Sequence, residues 1–410
     1  MTKLLHTADI HLDSPLHSLA LRDEGLRDTV QTATRTAFTR IIDTALAENA
    51  TLLITGDLFD GAARSAKTAA FLIAQLDRLR RAGIQVFYIK GNHDAENPIT
   101  GAIDLPDNVH VFDGHGGMAQ ITGTDIWVHG VSFSGRHAPD SLLGKFAAPV
   151  PDAMNIAMLH SSLSGAQGHD DYAPCSVAEL AQMGFDYWAL GHIHKRQIHS
   201  TAPWVVMPGI PQGRDIGEAG AKSATLLTIT DGRIAVEEVP TSAAEFMELS
   251  VDVTGLDGDD ALRSHLRQSL RDLAAGLASD AGLVRLTIAG ASPRKWQILR
   301  DQDMWLETAH GFARDTGKLW LDKVTFDLTA PDAAPSGAAV DELAQIMAQI
   351  QSEPGFAATL ASTLDTILTE IPAHRRAALI PDETAAAGLG QALASAGATR
   401  IIAAMKGAAE

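Results

Sequence analysis

Five short stretches rich in Asp, Asn and His limit what this chain can become. They read Asp9-Ile10-His11, Gly56-Asp57-Leu58-Phe59-Asp60, Gly91-Asn92-His93-Asp94, Met158-Leu159-His160 and Gly191-His192-Ile193-His194. Each brings metal-ligand side chains, and most end a run of apolar, β-type residues, at 3–8, 51–55, 84–89, 155–159 and 187–190. Strand ends that converge on one rim are where α/β sheets place their ligands. The pattern predicts one site assembled from five loops and built for two metal ions.

The residue types carry the chemistry. In extended chain, residues i and i+2 point the same way. Asp9 with His11, and His192 with His194, are therefore each expected to present two ligands to one place. Gly56, Gly91 and Gly191 lie just before ligands, where a sharp turn leaves no room for a Cβ. Asp57 can bridge two cations through its two oxygens, and Asn92 offers a neutral amide oxygen to hard or borderline ions. No cysteine belongs to the set, which argues against a zinc–thiolate structural site. Neutral His and Asn return no charge, so Asp9 and Asp57 leave a pair of divalent ions net positive. Such a site attracts phosphate, and two ions roughly 3.5–4 Å apart are the usual clamp for in-line attack on phosphorus.

The order of elements is that of an α/β domain. Residues 3–8 read as a buried strand. Val30, Ala37, Phe38, Ile41, Ile42, Ala45 and Leu46 recur at helical spacing over about 22–49. A strand at 52–55, a helix near 65–81 ended by Gly83, and a strand at 84–89 follow. Short strands with Gly turns fill 109–133. A loop rich in Gly, Ser and His at 161–174 is a candidate lid or wall of the site. Ser176 is a candidate cap for a helix reaching Met183, and Asp231-Gly232 signals a hairpin. Beyond 241–245 a strand–helix–strand–strand pattern (246–253, 261–277, 283–288, 318–328) reads as a small α+β domain. Residues 330–337 read as a linker and the Ala-rich remainder as helices. The expected domains are 1–242, 243–330 and 331–410.

Composition narrows the function classes. At 410 residues, more than one domain is expected. No run is long and apolar enough to span a bilayer. The N-terminus does not read as a signal peptide, because cleavage would remove Asp9 and His11. A single cysteine, Cys175, excludes an intrachain disulfide and agrees with a reducing cytoplasm. The formal net charge of −18 argues against a simple nucleic-acid coat protein. Unaided DNA binding should be weak and steeply salt-dependent.

Three longer stretches carry a resemblance: His6-Thr7-Ala8-Asp9-Ile10-His11-Leu12, Phe185-Asp186-Tyr187-Trp188-Ala189-Leu190-Gly191-His192-Ile193-His194-Lys195-Arg196, and Pro208-Gly209-Ile210-Pro211-Gln212-Gly213-Arg214. With the five motifs in this order, the chain resembles the calcineurin-like metallophosphoesterase superfamily over about residues 1–240. Within it, the chain is similar to the bacterial SbcD-type nucleases of DNA double-strand-break repair and to the related YhaO group. The resemblance implies a four-layer αββα sandwich with a smaller α+β capping domain and a helical tail. It implies that Asp9, His11 and His194 hold one metal, that Asn92, His160 and His192 hold the other, and that Asp57 bridges. Mn²⁺ is the family's usual ion. His93 would face the scissile phosphate as proton donor or charge stabiliser, with Asp94 orienting it. The implied reaction is two-metal hydrolysis of DNA, by an exo- or endonuclease acting as a homodimer. Its implied partner is a coiled-coil ATPase of the SbcC or YhaN type. Asp13 stands where typical SbcD proteins have glycine, and reads as a turn former or, alternatively, as a group that supports the site from behind the ligands.

Two other readings stand beside this one. A small-molecule phosphodiesterase or phosphatase fits the acidic composition. Relatives acting on phosphoserine and phosphothreonine, however, carry arginine soon after the second motif and Glu after Asn-His, where this chain has Gly61-Ala62 and Asp94. A non-catalytic scaffold is the third, and the His93-Asp94 pair argues against it. Plain roles are expected elsewhere. His6, His129, His169 and His199 read as core or surface histidines, Trp296 and Trp320 as packing, and Asp60 as a supporting acceptor or cap. Lys195, Arg196 and Arg214 read as rim cations able to grip phosphate. The terminal helices read as either partner-binding or self-packed.

Overall fold

The computed structural model describes residues 1–16, 24–61, 65–95, 97, 103–163, 172–330, 339–372, 375–376, 380 and 383–407. Most of the candidate lid, His169 and nearly all of the expected linker lie outside these. The chain divides into two compact units: Met1–Glu248 with Ala274–Val284 and Lys318–Asp322, and Leu249–Leu273 with Arg285–Gly317 and Lys323–Glu410.

Among the described residues, twelve strands form the two large sheets of the first unit. In chain order they are β1 (Thr2–Thr7), β2 (Thr51–Thr55), β3 (Val86–Ile89), β4 (Val109–Val111), β5 (Gly117–Gln120), β6 (Ile126–Val131), β7 (Met154–His160), β8 (Tyr187–Gly191), β9 (Gln197–Thr201), β10 (Trp204–Met207), β11 (Ser223–Thr230) and β12 (Arg233–Pro240). They form two six-stranded sheets, in the orders β12-β11-β1-β2-β3-β4 and β5-β6-β7-β8-β10-β9. The strands β1 to β4 run parallel, as do β6, β7, β8 and β10.

Alternation along the strands sets the layers. Leu4, Leu53 and Phe87 point inward and meet Val128, Ile156, Met158 and Ala189 of the second sheet. Their neighbours Leu5, Leu52, Ile54 and Val86 point outward. There they pack on Phe38, Ile41 and Ile42 of the helix Ala33–Glu48 and on Leu72, Leu76 and Leu79 of the helix Ala66–Arg81. The outer face of the second sheet, with Ala157, Leu159, Trp188 and Leu190, is covered by Leu180 of the helix Val177–Gln182. This is the αββα order that the resemblance implied.

Local signals held where the chemistry is local. Ser176 and Glu179 form a reciprocal capping box on the helix Val177–Gln182. Asp231 and Gly232 both adopt positive φ (50° and 72°), as a two-residue hairpin between β11 and β12 requires. The single helix expected over 22–49 is instead two, Glu24–Gln31 and Ala33–Glu48. The break falls at Thr32, whose hydroxyl donates to Asp28 O at 2.8 Å, a side-chain bond that competes with helix continuation.

His6 staples the two sheets from the inside. It is fully buried; Nδ1 lies 3.0 Å from Tyr187 Oη, and Nε2 lies 2.9 Å from Leu190 O and 3.0 Å from Thr55 Oγ1. Burial pushes its pKa down to about 3. The unfolded chain takes up this proton below pH about 6.5 and the folded chain does not, so stability falls as pH drops through that window. Between pH 7 and pH 5 His6 should remove about 2 kcal/mol. Urea denaturation at both values, against His6→Gln, measures it. Equal losses in wild type and variant would refute the assignment.

Three further strands, β13 (Ala244–Asp252), β14 (Ala281–Ala291) and β15 (Leu319–Thr329), form a third sheet in that order. The helix Asp259–Gly276 was expected; the helices Lys295–Arg300 and Gln302–Asp315 were not. Arg263 and Arg267 lie over the Trp305 and Phe312 rings, at 5.2 and 4.4 Å, and so cover the apolar face of Gln302–Asp315. The last helix, Glu383–Lys406, packs within the second unit. Lys406 Nζ sits 4.9 Å over the Trp296 ring and pairs with Asp341, and Arg300 donates to Gly407 O. Trp296 is thus a packing residue, and so is Trp320, which lies against the buried cluster around Phe246 and Leu283.

Candidate metal centre

The loops after β1 and β2 continue the ladder of their strands. Asp9 N–H donates to Gly56 O, His11 N–H to Asp57 O and Leu12 N–H to Leu58 O, each at 3.0 Å. This lays Asp9 and His11 against Asp57 at one end of the first sheet. His160 ends β7 and His192 follows β8, at the matching end of the second. The sheets are joined there by His160, whose Nδ1 lies 2.9 Å from Thr55 O.

Asp9, His11, Asp57 and His192 all have positive φ, of 51°, 44°, 51° and 101°. Such backbone is rare outside glycine and strained, on the order of 1 kcal/mol or more per residue, and Asp, Asn and His tolerate it best. Asp9 and His11 therefore converge through left-handed turns, not through the extended alternation expected from their spacing. His192 and His194 do not share a donor group but belong to two different ones.

Those groups are Asp9–His11–His194 and Asp57–His160–His192, and a third, His11–Asp60–His93, shares His11 with the first; in each the donor atoms lie within 4.8 Å of one another. In the first, His11 Nε2 and His194 Nε2 are 3.3 Å apart. His11 Nδ1 is buried and has no hydrogen-bond partner among the described residues. Burial holds the His11 pKa well below 6.5, so the ring is neutral and one proton cannot satisfy both nitrogens. In the second, His160 donates through Nδ1, yet its Nε2 faces Asn92 Oδ1 at 3.1 Å and Asp57 Oδ2 at 3.3 Å. His160 Nε2, Asn92 Oδ1 and Asp57 Oδ2 thus converge on one point, which holds either a proton on His160 or a cation in its place. Burial opposes a charge on His160, but the Asp57 carboxylate outweighs it and raises the pKa to about 9. Asp57, despite its burial, is held below the usual carboxylate range by His160. Asp9 is pushed the other way by burial, and both its oxygens accept from His192 N–H, at 3.1 and 3.0 Å. Nitrogen and oxygen donors with no sulfur fit borderline or hard divalent ions.

His93 lies beside the first group, its ring centroid 5.0 Å from that of His11. The orienting role expected of Asp94 falls to other groups. Gly61 N–H donates to His93 Nδ1 at 3.2 Å, with the Asp60 carboxylate 3.6 Å away. Asp94 is fully buried and accepts from the backbone N–H of Leu58, Phe59 and Gly91, at 3.2, 3.0 and 3.1 Å. It ties the second motif to the third. Burial, with the nearby Asp57 charge, raises its pKa to about 6.

Glycine is needed at two of these joints for different reasons. Gly56 has a φ of +90°, and a Cβ there would lie 2.3 Å from His160 Nδ1. At Gly91 a Cβ would lie 2.2 Å from Asp57 Oδ1 and 2.8 Å from Asp57 N. Gly91→Ala should displace Asp57 and weaken divalent-ion binding by about 10–100-fold, the range for groups that support a ligand. Calorimetric titration checks this, and wild-type affinity would refute it.

Some supporting residues had no signal in the sequence. Glu218 Oε1 lies 2.6 Å from His194 Nδ1 and 3.1 Å from Arg214 Nη2. Although burial opposes it, these two partners hold Glu218 down to about 2. Glu218 comes 24 residues after His194, and only its place four residues beyond the Pro208–Arg214 stretch could have drawn attention to it. Arg214, read as a phosphate-gripping cation, is committed to Glu218. Arg196 is half-buried against Thr225 and Glu238, while Lys195 is exposed. Asp13 is more than a turn former: both its oxygens take the Arg35 guanidinium at 2.6 Å, and one also takes the Thr68 hydroxyl. That clamps the His11 loop to two helices. His129 is a buried core residue, 3.1 Å from Asn155 Oδ1.

Comparison with known proteins agrees with this geometry. The calcineurin-like phosphoesterase family model matches residues 2–196, and the middle domain of metallophosphoesterase YhaO matches 246–329. The uncharacterised metallophosphoesterase YhaO of Bacillus subtilis is 34% identical over 300 residues, 72% of this chain and 73% of its own. The DNA double-strand break repair protein Mre11 of Sulfurisphaera tokodaii is 29% identical over 203 residues, 48% of this chain and about half (50%) of that protein. Mre11 of Sulfolobus acidocaldarius is 23% identical over 320 residues, 72% of this chain and 77% of its own. With its donor groups at the strand ends and a relative matched along most of its length, the chain belongs to the calcineurin-like metallophosphoesterases of the YhaO type.

Proposed function

We propose that this metallophosphoesterase hydrolyses phosphodiester bonds in DNA with two divalent ions, as a nuclease of double-strand-break repair. Asp9, His11 and His194 would hold one ion, and Asn92, His160 and His192 the other, with Asp57 shared. The observation that carries the reading is the convergence of N and O donors from both sheets, with His93 beside them. Bound there, two divalent ions supply positive charge against the charge that develops on phosphoryl oxygens, and activate water at neutral pH. Because Gly61 N–H points at His93 Nδ1, the neutral ring carries its proton on Nε2. Nε2–H is then available to a departing oxygen. Asp94 acts through the backbone it holds, keeping Asp57 and His93 in register.

Support for DNA as substrate comes from the Mre11 relatives, which are named as repair proteins. We assign Mn²⁺ as the ion, a homodimer as the assembly, a coiled-coil ATPase of the SbcC or YhaN type as partner, and the cytoplasm as the compartment. A net charge of −18 makes a DNA-gripping partner physically reasonable, since unaided binding should be weak. The test is Mn²⁺-dependent cleavage of linear duplex and single-stranded DNA, with and without the ATPase, beside an aryl phosphodiester and a cyclic nucleotide. DNA cleavage supports the reading. Turnover of the small diesters alone would reassign the substrate. No turnover of any diester with both ions bound would leave a scaffold.

A further inference from the structure

We infer that Glu218 is the positioning residue that fixes His194 as a metal ligand, with Arg214 holding Glu218 in place. This rests on the two-ion reading above. Glu218 Oε1 is 2.6 Å from His194 Nδ1, while Arg214 Nη2 is 3.2 Å from the same nitrogen. Guanidinium only donates and carboxylate only accepts. A lone pair on Nδ1 would therefore face the carboxylate oxygen at 2.6 Å, which is repulsive. The proton must sit on Nδ1 and be donated to Glu218. Nε2 then keeps its lone pair, on the side that faces His11 Nε2 at 3.3 Å. A carboxylate on the far nitrogen fixes both the tautomer and the ring orientation of a ligating histidine.

The carboxylate is built into its place. Its second oxygen accepts Arg214 N–H at 2.7 Å, and Arg214 Nη2 reaches the first oxygen at 3.1 Å. The turn that carries it, Ile216–Glu218, is capped by Asp215, whose Oδ1 accepts Gly217 N–H at 2.8 Å. The Glu218 side chain is 14% exposed, so this is a held group and not a solvated surface acid. Asp9 and His11, the other members of that donor group, sit on a different loop. Glu218 is thus placed to bias one of the two ions.

The test is Mn²⁺ titration of wild type, Glu218→Ala and Glu218→Gln by calorimetry and electron paramagnetic resonance, with thermal unfolding of the metal-free proteins alongside. Glu218→Ala should weaken one of two binding events by about 10–100-fold and leave the other unchanged. Glu218→Gln, whose side-chain carbonyl still accepts a proton from Nδ1, should recover most of the affinity. Unchanged binding in both variants would overturn the inference. So would equal weakening of both events in step with a lower melting temperature, which would mark a purely structural role. Wild-type protein that binds no metal pair would remove the two-ion reading itself, and the inference with it.

Discussion

Asp57→Ala should empty the metal centre and reduce phosphodiester hydrolysis by on the order of 10³-fold or more, the scale for losing a preorganised charge at a reacting phosphoryl group. Asp57 Oδ1 accepts His93 N–H at 2.9 Å, and Oδ2 lies 3.3 Å from His160 Nε2. Its backbone carbonyl accepts His11 N–H. The carboxylate is 3% exposed, so its charge is little screened by solvent. Removing it leaves His160 beside Asn92 with no anion to offset a cation. Metal content by mass spectrometry and turnover of an aryl phosphodiester are the measurements, with circular dichroism to confirm that the fold persists. Two ions per chain in the variant would show that Asp57 is not shared between them.

His93→Ala should give the opposite pattern: both ions retained and kcat reduced by about 10²–10⁴-fold, the range for a lost general acid. His93 approaches His11 edge-on, and its Nδ1 is occupied by Gly61 N–H. Only Nε2 is left to meet a substrate. Because Asp57 and Asn92 do not depend on the imidazole, metal affinity should stay within a few-fold of wild type. Unchanged turnover would remove His93 from the mechanism. A fall in metal content equal to that of Asp57→Ala would make it a ligand instead. The two variants together separate holding the ions from using them.

The site's membership was legible because ligand chemistry is written in short words. Asp-x-His, Gly-Asn-His-Asp and His-x-His each carry their donors within four residues, beside runs that can only be strands. The sandwich came from the family resemblance, and the structure shows how the strands serve it: Leu4 and Leu53 face one layer, Leu5 and Leu52 another. Errors fell where an outcome depends on a neighbour distant in sequence. The resemblance assigned Asp94 to His93, but its oxygens go to Leu58 and Phe59, more than thirty residues back. Arg214 was read as a free cation because Glu218 carries no motif. The helices Lys295–Arg300 and Gln302–Asp315 were not read from the sequence, although Trp305, Ala309, Phe312 and Ala313 recur at helical spacing and are buried.

By itself, then, the chain's order of residues determined which side chains could bind metal, where each strand delivers them, and that strands and helices alternate as in an α/β domain. Local stereochemistry and period-two burial act within a few residues and need no fold to operate. Only the tertiary structure decided which donors share a point. It separated His192 from His194, turned Asp9, His11 and Asp57 into left-handed backbone, and brought Glu218 to His194. Those outcomes depend on how five loops meet across two sheets, and the strain they carry is sustained only by the packing beneath them.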